Sequence, residues 1–180
     1  MPSLRASDGV RLDYTECDNP PGRPVLLLAG FKAPATSWLY QLPALADYRV
    51  FAVDLRGHGS SEHPEAAADM DRRGQDLHDV IENLSLSRVK GMDQKVSATD
   101  LELLRDHAKR DWRPVLAEAP FPVLFVAGNN SELWPTAHAA AAAELGKQAT
   151  AVVIDKCGHV ANVEQPDKFN AAMLQFLARV

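Results

Sequence analysis

The run Val25-Leu26-Leu27-Leu28-Ala29-Gly30-Phe31 constrains this chain more than any other stretch. It follows the turn signal Asn19-Pro20-Pro21-Gly22 and is apolar without alternation. A short apolar run between breakers reads as a strand covered on both faces, as in a parallel sheet flanked by helices. Its Gly-Phe end lets the backbone turn sharply and leaves N–H groups free beyond the sheet. Residues 38–46 and then 48–54 read as its crossover helix and parallel neighbour.

Ahead of that strand, residues 4–7 and 10–17 flank Asp8-Gly9, a two-residue hairpin signal. Val10, Leu12 and Tyr14 alternate with Arg11, Asp13 and Thr15, so the hairpin is expected at a sheet edge with one wet face. In 38–46, Trp38, Leu39, Leu42, Leu45 and Ala46 recur at helical spacing, although Pro43 bends or shortens that helix. Residues 48–53 (YRVFAV) form a second buried strand ending at Asp54, and 54–61 (DLRGHGSS) a Gly-rich turn. Within 69–84, Leu77, Val80, Ile81 and Leu84 stand at i, i+3, i+4 and i+7, one face of an amphipathic helix.

From 85 to 96 the pattern dissolves. A helix capped near Ser97 or Thr99 is expected to run to about Arg110, with a short connector over 112–116. Residues 122–127 (PVLFVA) and 149–154 (ATAVVI) are a third and a fourth buried strand, separated by an Ala-rich helix from near Pro135 to Gly146. The last helix starts near Pro166, a residue suited to a first turn, and is expected to bury Phe169, Met173, Phe176 and Leu177.

Hairpin followed by strand–helix units means an open, mostly parallel α/β sheet in one domain, and 180 residues suffice for one core. A net charge of −5 argues against nucleic acid or anionic lipid as a partner. Its simplest role is to keep the chain soluble. Only Cys17 and Cys157 are present, without metal or redox spacing, which fits inert thiols in a reducing cytoplasm. The first residues hold no apolar signal core, and no run is long enough to span a bilayer. The expectation is a soluble cytoplasmic protein, with no membrane or nucleic acid among its partners.

Ligands on such sheets bind beyond the carboxyl ends of the strands. The loops of interest are therefore 30–37, 55–63, 128–134 and 155–162.

Four segments in order resemble the α/β-hydrolase superfamily, especially its esterase, haloperoxidase-like and carbon–carbon hydrolase branches. They are VLLLAGF followed by Trp38, the turn DLRGHGSS, the stretch PVLFVAGNNSELWP, and CGHVANVEQPDKF before the final helix. The resemblance implies that Gly30 and Phe31 supply backbone N–H groups to an oxyanion hole, with Ala29 where a His is common. It implies His159 as general base and His58, in the RGHG turn, as a scaffold residue. It implies a hydrolase of small ester or acyl substrates that needs no cofactor or metal.

Two parts of the family pattern are missing. The G-x-S-x-G elbow, whose strained turn lifts a nucleophile beside the oxyanion donors, occurs nowhere in the chain. The elbow strand, its helix and most of the cap are absent, so an internal deletion near 87–97 is expected. The family's acid position is filled by Ser131 in the loop Gly128-Asn129-Asn130-Ser131-Glu132, and Glu132 is the nearest carboxylate. The fold expected is a shortened α/β-hydrolase-like open, mostly parallel sheet with helices on both faces and an N-terminal β-hairpin.

Deletion would leave the strand 25–29 without one partner, and a flat apolar edge invites aggregation. One repair brings 122–127 in beside it, which sets Ser131 next to the oxyanion loop. The other is pairing between two copies in a homodimer.

Each candidate has a plainer reading beside it. Ser131 is a substitute nucleophile or a serine capping its own turn; Glu132 an acid partner or a solvated carboxylate; His159 a base or an inherited, idle residue. Phe31, Trp38 and Trp134 line a pocket for a small-molecule substrate or ligand, or serve as core. His63, His78, His107 and His138 fit no metal pattern, and Asp76, Asp79 and Glu82 read as a wet helix face. Three functions stay open: a hydrolase weakened or silenced by loss of the elbow, a non-catalytic binding module, and a lyase or isomerase using His159 alone.

Overall fold

The computed structural model describes residues 1–17, 21–64, 69–86 and 109–180. The chain divides into two compact units, Met1–Arg110 and Asp111–Val180. The helix expected from Ser97, the deletion point near 87–97 and His107 lie outside the described residues.

The first unit is built on a four-stranded mixed sheet in the order β1-β2-β4-β3, with β1 Ser3–Arg5, β2 Arg11–Cys17, β3 Pro24–Leu28 and β4 Arg49–Val53. The hairpin forms, but around a three-residue loop, 7–9, and not the two-residue turn expected: Leu4 stands opposite Leu12, and the Ala6 N–H donates to the Val10 carbonyl. β2 continues antiparallel onto β4, and β3 lies parallel to β4 from Pro24↔Arg49 to Leu28↔Val53. β4 is thus the central strand, and Val50, Phe51, Ala52 and Val53 are almost wholly buried. Burying a side chain such as Phe51 contributes about 2 kcal/mol.

One face of the hairpin was expected to be wet, but Asp13 is buried. Its side chain meets Arg11, and its backbone N–H donates to Ser61 Oγ (2.7 Å), so the turn after β4 covers it. The expected helix over 38–46 is replaced by two 3-10 turns, Ala35–Trp38 and Pro43–Leu45. Proline at 43 has no N–H to give and clashes with a continuing α-turn, and that breaks the run.

Helix α1 spans Met70–Asn83, and Asp69 caps it by accepting the Arg72 N–H at 2.7 Å. Val80 and Ile81 pack inward, Val80 with Leu4, Leu12 and Val53, and Ile81 with Phe51 and Leu86. The polar side of this helix departs from expectation. Glu82 and His78 are exposed, but Asp76 and Asp79 are buried. Arg56, from the turn after β4, forks onto Asp76 with two 2.5 Å bonds and reaches Asp8 at 2.9 Å. Arg72 bridges Asp76 and Asp79, and Asp79 also accepts the Ser7 N–H. Two arginines with long stems convert what the pattern reads as a wet face into a buried ionic seam.

The second unit holds β5 Val123–Gly128 and β6 Ala149–Ile154, paired in parallel along their full length. Around them come α2 Arg113–Glu118, α3 Ala137–Leu145, α4 Ala161–Glu164 and α5 Pro166–Leu177. Its tightest core joins Ile154, Cys157 and Ala161, with Phe169 packed against them. Both strands are largely half-buried rather than buried, as are Phe169, Met173, Phe176 and Leu177. A two-stranded sheet has an edge on each strand.

The ladder expected between residues 25–29 and 122–127 is not formed among the described residues. Among the described residues β3 pairs only with β4, and β5 only with β6. β5, α3 and β6 form a unit with short connections whose ladder closes at low entropic cost. Among the described residues, no helix is long and apolar enough to cross a membrane.

The ionic seam yields a stability test. Asp76→Asn removes the buried charge that Arg56 and Arg72 share and leaves Arg56 only the partly exposed Asp8 as a charged partner, and breaking one side of a buried pair costs about 3 kcal/mol. Urea unfolding should show a lowered midpoint of that size. A change below about 0.5 kcal/mol, the size of an ordinary surface substitution, would mean the seam is not a structural element.

Candidate functional site

In the first unit the loop after β3 and the turn after β4 are locked together by Asp54. One carboxylate oxygen accepts the Ala35 N–H (2.6 Å), and the other the Ser60 N–H (2.9 Å). The backbone of Asp54 is tied as well: its N–H donates to the Asp13 carbonyl, and its carbonyl accepts from Ser61 Oγ. Gly59 has φ +49°, and a Cβ there would sit 2.2 Å from the Asp54 carboxylate. Only glycine lets the turn wrap the aspartate so closely.

His58 makes the second tie. It is buried, and its Nε2 accepts the Lys32 N–H at 2.8 Å while Nδ1 lies 2.9 Å from the Arg56 carbonyl. Lys32 holds a left-handed φ of 59°, which an ordinary side chain adopts only when its surroundings impose it. Gly30 and Phe31, the two sequence-expected oxyanion residues, stand just before this clamp and are exposed. The Gly30 carbonyl accepts from Ala33, and a Cβ on Gly30 would meet nothing within 4 Å. Among the described residues the Phe31 N–H has no acceptor. The Phe31 ring stands edge-on to His58, with centroids 6.5 Å apart.

The second unit joins two further loops. The Asn130 N–H donates to the Cys157 carbonyl (2.8 Å). The Asn129 side chain accepts from the Lys156 N–H and donates to Asp155. A Cβ on Gly128 would collide with the carbonyls of Cys157 and Gly158. The loop of Ser131 therefore lies directly against the loop of His159. Ser131 Oγ accepts the Trp134 N–H at 3.3 Å, closing its own turn. Glu132 is exposed, and so is Trp134, whose ring lies 5.5 Å from that of His138. His159 is exposed. Among the described residues neither Ser131 nor Glu132 hydrogen-bonds to it.

What holds His159 is Glu164, a residue the sequence reading passed over. Its carboxylate accepts the Gly158 N–H (2.7 Å) and the Val160 N–H (2.9 Å), gripping the backbone on both sides of the histidine. A Cβ on Gly158 would lie 2.7 Å from that carboxylate, so a larger residue there would have to displace it. The Val160 and Gly158 N–H groups hold the Glu164 carboxyl below its ordinary value, desolvation opposes them, and the charge of His159 assists. The signal available in the sequence was Glu164 two residues before Pro166, at the turn into the last helix. Among the described residues no three His, Cys, Asp or Glu side chains are grouped to hold a metal ion.

The comparisons with known proteins bear on these loops. Residues 23–92 match the family model of the alpha/beta hydrolase fold. Epoxide hydrolase A of Mycobacterium tuberculosis is 45% identical over 87 residues, which are 46% of this chain and 27% of that protein. A non-heme haloperoxidase of Rhodococcus erythropolis is 31% identical over 139 residues, 75% of this chain and 50% of that protein. The chain thus spans half the length or less of these two curated relatives. Among solved structures, a thermophilic esterase from Thermogutta terrifontis superposes with a TM-score of 0.82 at 18% identity, covering 99% of each chain.

The Glu164 clamp has a definite pH signature. Because the folded-state value is depressed, its stabilisation is present above the ordinary 4.5 and is lost as pH falls through the lower folded value. In an NMR titration the Gly158 and Val160 amide protons should move together with a midpoint below 4.5. Glu164→Gln should abolish that titration. A midpoint at or above the ordinary value would contradict the clamp.

Proposed function

The chain belongs to the α/β-hydrolase superfamily, and from that premise we propose that it binds small ester- or acyl-type molecules without forming a covalent serine intermediate. The observation that carries this reading is the Phe31 N–H, without an acceptor among the described residues, in a loop tied at Lys32 and Ala35 with free space above Gly30. A donor fixed before the ligand arrives is worth more than a mobile one, because no ordering remains to be done on binding. It suits a carbonyl or carboxylate oxygen.

Turnover is a different matter. The chain contains no G-x-S-x-G. Ser131 Oγ serves as acceptor for its own turn, and no hydrogen bond among the described residues gives it a base. Nucleophilic catalysis needs a nucleophile and base within hydrogen-bond reach. Covalent hydrolysis by this chain is accordingly weak or absent. The names of the relatives range over epoxide hydrolase, haloperoxidase and esterase, so what supports the reading is the shared scaffold and not one substrate. The free thiols Cys17 and Cys157 support a reducing, cytoplasmic setting.

A second reading has an observation of its own. His159 is exposed on a backbone held rigid by Glu164, an arrangement that lets an imidazole act as a lone general base in a lyase or isomerase reaction. It differs from the first in requiring turnover that His159→Ala removes.

A serine-directed fluorophosphonate, followed by intact mass and peptide mapping, separates hydrolysis from binding. The folded protein should take up no stoichiometric adduct and should hydrolyse p-nitrophenyl acetate no faster than its His159→Ala variant. A stoichiometric adduct on Ser131 would overturn the non-covalent reading and make the chain a working serine hydrolase.

A further inference from the structure

The RGHG turn contains a histidine that the proposed function leaves without a task, and its geometry assigns one. Lys32 donates its N–H to Nε2 of His58, so that nitrogen carries no proton. The Nδ1 nitrogen, 2.9 Å from the Arg56 carbonyl, must then carry it and donate. Both ring nitrogens are thereby used, and only the neutral ring protonated at Nδ1 satisfies both partners. A ring protonated at Nε2 would point one donor at another.

We propose that His58 is a positioning residue whose Nε2 holds the Lys32 backbone in its left-handed turn and so aims the Phe31 N–H at the ligand. The proposal rests on the reading that the loop after β3 is the binding loop. Lys32 is a non-glycine residue at φ 59°, a conformation an L side chain adopts at a cost. The bond from His58 is made at that residue's own N–H, the atom adjoining the Phe31 carbonyl carbon. The Phe31–Lys32 peptide is thus held at its nitrogen, which fixes the chain on the C-terminal side of Phe31; the Phe31 N–H lies in the preceding Gly30–Phe31 peptide and is related to that fixed point by the φ and ψ of Phe31 alone. Asp54 fixes the loop three residues later, at Ala35. Between Gly30 and that anchor, His58 is the side chain on the turn after β4 that reaches the backbone. Its burial within the turn leaves the ring little freedom to reorient.

Two substitutions divide the ring's two jobs. In His58→Asn the side-chain amide stands where Nδ1 stood and can still donate to the Arg56 carbonyl, but nothing reaches Lys32. In His58→Gln the side-chain oxygen reaches toward the Nε2 position and can accept the Lys32 N–H. The experiment uses the full chain, labelled with nitrogen-15, and butyrate as the probe. A long-range proton–nitrogen correlation reads the tautomer of His58, amide exchange reads the clamp at Lys32, and a butyrate titration reads the Phe31 amide.

The expected result has three parts. Nε2 of His58 is unprotonated in the unaltered chain. His58→Asn exchanges its Lys32 amide about tenfold faster, the loss of one net hydrogen bond, and binds butyrate more weakly. His58→Gln restores both toward the unaltered values. A protonated Nε2, or Lys32 exchange unchanged in His58→Asn, would overturn the proposal. If butyrate leaves the Phe31 amide unmoved while Lys32 still responds to His58→Asn, the clamp is supported and the ligand reading of the loop is overturned.

Discussion

Every feature of the first unit that bears on function depends on the buried carboxylate of Asp54. It stands at the end of the central strand, where two loops leave the sheet, and gives one oxygen to each of them. Loops at the carboxyl ends of strands have no ladder of their own to satisfy their N–H groups, and an unpaired buried N–H is costly. A carboxylate accepts from two donors at once and strengthens both bonds by its charge. The same residue's backbone reaches β2 through Asp13 and Ser61, so the turn after β4 is fastened to the sheet as well as to the loop. The loop that carries Phe31 is held at Ala35 by that anchorage and at Lys32 by His58.

The second unit solves the same problem with the same chemistry. Glu164 accepts N–H groups on either side of His159, as Asp54 accepts one from each of two loops. The settings differ in solvation, and so in sensitivity to conditions. Asp54 is buried, while Glu164 is exposed and titrates where solvent reaches it. In each case a carboxylate accepts two backbone N–H groups and fixes the loop that carries them. Glycines at 59 and 158 are the counterpart of this design, since a Cβ at either position would occupy the space of the carboxylate.

Much of this was legible in the residues. The Asp8-Gly9 turn specified the hairpin, the unbroken apolar run specified β3, and the i, i+3, i+4, i+7 stripe specified α1. Where the reading failed, long-range polar partners were the cause. Asp76 and Asp79 look like a solvated face because periodicity reports which positions are polar, not which arginines arrive from elsewhere to bury them. Pro43 was recognised as a bend, yet the extent of its effect depended on how the neighbouring turns closed. The expected pairing of the strand ending at Ala127 with the strand starting at Val25 treated an exposed edge as the dominant cost. Among the described residues that ladder is not formed. Among the candidate site residues, motif position singles out Gly30, Phe31, Ser131 and His159. Asp54, Glu164 and Asn129 were not, because a residue that holds another's backbone has no signature apart from the fold that brings the two together.

Native-state hydrogen exchange of Asp54→Asn tests the central claim most directly. An asparagine offers one acceptor oxygen where the aspartate offers two, so it cannot serve both Ala35 and Ser60. The account predicts that at least one of those two amides loses protection and that Lys32 loosens with them, while amides of β5 and β6 exchange as before. Full protection of Ala35, Ser60 and Lys32 in the variant would contradict it, and the anchorage of the loop would then have to be sought elsewhere.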